Sequence, residues 1–108
     1  AMNRWKEGNI DACQKALAKL VQNRPNFVEA HIQYAELMLY QKNPSAAQDQ
    51  LHQALKLAPG RADIYHSLAV AQEAGGNATT AAENFRKAAE LDPENPVYQM
   101  AMEGLQKR

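Results

Sequence analysis

Few side chains in this 108-residue chain could act as nucleophile, base or metal ligand: one cysteine, Cys13, and three histidines, His31, His52 and His66. Covalent catalysis needs a nucleophile, an adjacent base and a group that orients the base. Cys13 recurs with Ile10, Leu17, Leu20 and Val21 at helical spacing, so it belongs to an apolar face, where a thiol behaves as a small hydrophobe. His31 falls at a helix-packing position. His52 follows Asp49 by three residues and reads as a surface pair. Asp63 and His66 repeat that spacing, yet two ligands do not close a metal site. Gly75-Gly76 is followed by Asn77 and Ala78, without the lysine of a phosphate-cradling loop. The expectation is a chain that is not an enzyme, uses no cofactor and holds no metal. A metal or enzymatic site at Asp63 and His66 is the weakest alternative.

Charge and composition narrow the partners. Twelve basic and twelve acidic residues leave formal net charge zero, so the broad positive surface that nucleic acid or anionic lipid requires is missing. The longest apolar stretches, such as residues 37–40, fall far short of the roughly 18 residues that cross a bilayer. The expectation is no nucleic-acid partner and no direct membrane insertion. A single cysteine excludes an internal disulfide but leaves the compartment open. The opening Ala-Met, without a basic stretch running into an apolar one, is expected to begin a piece of a longer protein.

The elements that must position these residues repeat. Pro25, Pro59 and Pro93 stand 34 residues apart, and Asn9, Asn43 and Asn77 keep the same step, a period that signals a helical array. Residues 62–93 show the unit: one helix, a Gly-Gly-Asn turn, and a second helix stopped at Asp92-Pro93. Asparagine at a turn accepts the first free amides of the next helix, and proline cannot continue a helix that has ended. Residues 1–7 give only a short first helix before Gly8-Asn9, and residues 10–23 form the helix after that turn. Asn26 with Glu29 suggests a capping box opening a helix over residues 27–41, and Pro44 stands at a first helical position after Asn43. Ala47, Leu51, Ala54, Leu55 and Leu57 make one inner face; Ala81, Phe85, Ala88 and Leu91 make the next, with Tyr65, Leu68 and Ala69 on the buried side between them. Asn95-Pro96 opens a last helix whose tail ends in Lys107-Arg108.

Together these landmarks resemble the tetratricopeptide repeat family over essentially the whole chain. Ala35, Ala69, Cys13, Ala47 and Ala81 match its small crossing residues, Leu17, Leu51 and Phe85 its large second-helix residue, and Pro25, Pro59 and Pro93 its terminal proline. Departures are mild: His31 and Tyr65 stand where Trp is frequent, Tyr34 where Leu is usual, and Leu20 where Ala is customary. The resemblance implies an all-α fold, a right-handed superhelical array of antiparallel helix pairs with a C-terminal capping helix. It forms a single domain, with a truncated repeat over residues 1–25, repeats over 26–59 and 60–93, and the cap over 94–108.

In that family the first helices of successive repeats line a concave groove. The resemblance therefore places Trp5, Glu29, Ile32, Gln33, Glu36, Leu39, Tyr40, Asp63, His66, Val70 and Glu73 on the binding surface, with Met2 at its start and Val97 and Met100 extending it. Trp5, Ile32, Leu39, Tyr40 and Val70 are its apolar contacts, and Glu29, Glu36, Asp63 and Glu73 its carboxylates, with almost no positive charge expected beside them. One family subset grips acidic chaperone tails with Lys, Asn and Arg. Here Ile32, Glu36, Ser67, Val97 and Ala101 occupy those positions, so the implied partner is another protein carrying a basic or apolar segment. The implied function is a protein–protein interaction module or scaffold. The alternative is self-assembly as a homo-oligomer, since a shortened first helix would leave the face of Cys13, Leu17 and Leu20 incompletely covered.

Overall fold

A computed structural model describes residues 7–106. Among them are six helices: α1 (Glu7–Asn23), α2 (Val28–Tyr40), α3 (Pro44–Leu57), α4 (Ala62–Ala74), α5 (Ala78–Leu91) and α6 (Pro96–Gln106). Two of the turns are copies of one another. After α2, Lys42 adopts φ 61°, its N–H reaches the Leu39 carbonyl at 3.0 Å, and the Asn43 N–H reaches the Met38 carbonyl at 2.8 Å. After α4, Gly76 adopts φ 88°, its N–H reaches Glu73 at 3.0 Å, and the Asn77 N–H reaches Gln72 at 2.8 Å. This paired bonding around a left-handed residue satisfies carbonyls that a helix end would otherwise leave bare. The asparagine then opens the next helix: Asn43 accepts from the Ala46 N–H and Asn77 from the Thr80 N–H. Pro44 occupies the first turn of α3 as its missing N–H allows.

Two sequence expectations fail at the starts of helices. Helix α1 runs through Gly8 and Asn9, where a turn was expected, because Gly8 is helical and does not reverse the chain as Lys42 and Gly76 do. Residues 1–6 lie outside the described residues. The capping box of Asn26 and Glu29 does not form either: Phe27 is the N-cap of α2 and no side chain caps it. The Glu29 carboxylate bonds to Arg61 instead.

Neighbouring helices pack antiparallel, and α2 also meets α4, so the array is all-α with its first helices side by side. Leu37, Leu51 and Ile64 are the largest fully buried side chains, and Ala35, Ala47, Ala69 and Ala81 are shut from solvent where the helices approach. Ile32, Leu51, Ile64 and Leu68 join Ala35 and Ala47 in one core, and Ala69 and Ala81 pack with Phe85 in a second. Leu57 and Leu91, assigned to the inner faces, are 39% and 40% exposed at the last turns of α3 and α5, while Tyr65 is half-buried. The His31 ring is buried and held at both nitrogens: Nε2–H donates to the Pro25 carbonyl at 2.9 Å, and Nδ1 lies 2.8 Å from the Gln50 amide. The Gln50 atom that faces Nδ1 is its side-chain oxygen, Oε1.

Candidate functional site

Helices α2 and α4 lie next to each other, and α6 joins them through Tyr98, whose ring packs 5.2 Å from that of His66. The residues expected on the binding surface divide into three groups. Gln33 and Glu36 of α2 are exposed, as are Tyr40 (45%), Val70 (39%), Val97 (55%) and Met100 (67%). Ile32 does not join them: it is 7% exposed and belongs to the core with Ile64 and Leu68, because the helical period turns it inward. Leu39 is half-buried against the same core. Trp5 and Met2 lie outside the described residues, as do Lys107 and Arg108.

The charged residues are not arranged as the sequence suggested. Arg61, the N-cap residue of α4, donates from Nε and one terminal nitrogen to both oxygens of Asp63, at 3.1 and 2.7 Å, and from its other terminal nitrogen to Glu29. The hydrogen bonds it donates to Asp63 and then Glu29 push its pKa further up, against a smaller opposing effect of burial. One guanidinium therefore ties the start of α2 to the start of α4 and offsets two of the four carboxylates expected to stand nearly unopposed. Sequence reasoning missed Arg61. The available signal was register: Glu29 and Asp63 are equivalent positions of successive repeats, so a cation just ahead of Asp63 reaches both. Glu36 pairs with no cation among the described residues, while Glu73 is half-buried and engaged.

His66 is half-buried between α4, α5 and α6, with its ring 5.5 Å from Phe85 in an edge-to-face contact and tilted against Tyr98. Its Nδ1 is buried without a hydrogen-bond partner among the described residues, and burial lowers its pKa. Asp63 turns to Arg61 rather than to His66, and among the described residues no three His, Cys, Asp or Glu side chains gather as a metal site. Cys13 is a half-buried free thiol on α1. Among the described residues the arrangement supplies contact surface and oriented charge.

A tetratricopeptide repeat family profile matches residues 35–96, which takes in α3, α4, α5 and the turns between them. The chain belongs to the tetratricopeptide repeat family. This repeat protein is 28% identical over 93 residues to the human protein O-mannosyl-transferase TMTC3, covering 85% of this chain and 10% of that protein. Among solved structures it is similar to residues 41-end of MamA from Desulfovibrio magneticus RS-1, at 25% identity over 88% of this chain and 54% of that one, with TM-score 0.80. It also shares its fold with the first repeat domain of Spaghetti (RPAP3), solved bound to the HSP90 peptide SRMEEVD. There the identity is 17%, the coverage 95% of this chain and 82% of that one, and the TM-score 0.85. The repeat chain thus spans a tenth of its curated relative and about half of the MamA chain. Tetratricopeptide repeats are a protein-interaction fold.

Proposed function

We propose that this repeat domain holds an extended segment of another protein across the face formed by α2, α4 and α6. The observation that carries the reading is the exposure of four large apolar side chains, Tyr40 on α2, Val70 on α4, and Val97 and Met100 on α6. Isolated apolar residues on a surface need no explanation, but an apolar centre with a polar rim is the anatomy of a docking site. Aliphatic groups of the partner contact Val70, Val97 and Met100, and a basic residue meets Glu36. Even with Arg61 in place, Glu29, Glu36 and Asp63 outnumber it, and His66, neutral at pH 7 through its lowered pKa, adds no positive charge. The Spaghetti (RPAP3) domain takes the acidic peptide SRMEEVD on the same fold. The charge here favours the opposite kind of segment.

Selection from a random peptide display library tests this directly. Bound peptides are expected to be enriched in Arg or Lys flanked by aliphatic residues and depleted in Asp and Glu. The Met100→Lys and Glu36→Lys variants should lose them with unchanged far-ultraviolet circular dichroism, while Arg86→Glu, on exposed α5, keeps them. An acidic consensus, or binding that survives both groove substitutions, would overturn the reading.

A further inference from the structure

His66 stands where the proposed binding face is joined to its last helix, and it is a half-buried titratable group that the binding reading leaves without a task. The ring touches Phe85 of α5 at 5.5 Å and Tyr98 of α6 at 5.2 Å. Tyr98 is 9% exposed and belongs to the cluster of Ala88 and Ala89 that docks α6 onto the array. Nδ1 is enclosed without a hydrogen-bond partner among the described residues. A neutral imidazole tolerates this by carrying its proton on Nε2 and leaving Nδ1 a bare acceptor. The imidazolium has to place an N–H at Nδ1 as well, in a site with nothing to receive it.

The charged groups around the seam do not relieve that cost. Asp63, one turn earlier on α4, is held at both oxygens by Arg61, and Glu29 of α2 is held by the same guanidinium. Asp92, in the turn between α5 and α6, accepts from the Asn95 side chain at 3.4 Å, and Tyr98 offers a hydroxyl whose pKa is raised, chiefly by burial. Burial is what acts on His66, and it lowers the pKa.

We infer that His66 is a proton-sensitive latch: neutral, it seats α6 against α4 and α5, and protonated, it loosens α6 and with it Val97 and Met100 of the binding face. The release of a partner rests on the binding reading above; the loosening of α6 does not. The sign follows from the lowered pKa. The unfolded or undocked ring takes up a proton near its ordinary 6.5 and the docked ring only at lower pH, so the contribution of His66 is fully present above about 6.5 and is lost as pH falls through the docked value.

The coupling can be read without any partner, from hydrogen exchange of the α6 amides corrected for intrinsic rate, compared at about pH 7.5 and pH 5.5 in the wild type and in His66→Phe, which keeps an aromatic ring. Protection of α6 is expected to fall at the lower pH in the wild type and to stay level in the variant. Equal loss in both, or none in the wild type, overturns the latch. If the variant does not fold, proton resonances of the wild-type His66 ring decide: a midpoint at or above 6.5, or one that does not track α6 opening, also overturns it. With a peptide selected on the wild-type domain, affinity should weaken at the lower pH in the wild type alone. Loosening of α6 without that weakening defeats the control of binding while leaving the binding face itself standing.

Discussion

Arg61 decides more about the charge of the proposed binding face than any single acidic residue, because it bonds two of them. Its bonds to Asp63 and Glu29 lie in solvent, with the Arg61 side chain 36% exposed and its partners 46% and 52% exposed, so screening keeps their stabilising effect small. Arg61→Ala is expected to lower stability by less than about 1 kcal/mol in thermal unfolding, while sharpening the preference for basic peptides. A loss well above that size would mean that the triad holds the repeats together. Arg61 was missed in the sequence because its partner Glu29 lies 32 residues away and the equivalent position of the previous repeat is Phe27, so only the register of Glu29 with Asp63 pointed to it. Ile32 was misplaced for a related reason. Registering it with groove positions ignores how far Leu68 and Ile64 reach between the helices, and burial there removed an expected contact. His31 and Cys13, by contrast, were legible as packing residues, since their place on a helical face needs no knowledge of the neighbouring repeat.

Among the elements, the turns were the most readable part of the chain and also its sharpest local test. Lys42 and Gly76 occupy equivalent left-handed positions, with φ 61° and 88°, but only one is a glycine. Gly76→Ala finds no atom within 4 Å of the new Cβ, so its cost is conformational alone and should be about 1 kcal/mol. Lys42→Gly should change stability the other way, by roughly 0.5 kcal/mol. Chemical denaturation of both variants checks the pair, and equal signs would refute the shared turn geometry. Asn77→Ala should cost about 1 kcal/mol through its lost cap, whereas Asn9→Ala should cost nothing, because α1 passes through that position as a helix. The repeat spacing that located the caps at Asn43 and Asn77 correctly also produced a turn at Asn9 that the backbone does not make. A 34-residue step records equivalence of position, but a turn also needs a residue that reverses the chain.

At the scale of the whole molecule, burial follows the repeat. Leu37, Leu51 and Ile64 fill the space between successive helices, and truncating any of them to alanine should cost about 2–5 kcal/mol in the same unfolding experiments. The all-α architecture was legible because its period, crossing alanines and terminal prolines agree with one another. Which of the expected contact residues stay exposed and unpaired was not legible, since exposure and ion pairing depend on how one repeat meets the next. The most direct test of that face is a hydrogen-exchange footprint of the domain with and without a peptide selected from the display library. Binding across α2, α4 and α6 predicts new protection around Gln33, Glu36, Val70 and Met100, with α3 and α5 unchanged. Protection confined to the exposed side of α3 and α5, around His52, Gln53, Arg86 and Lys87, would contradict it.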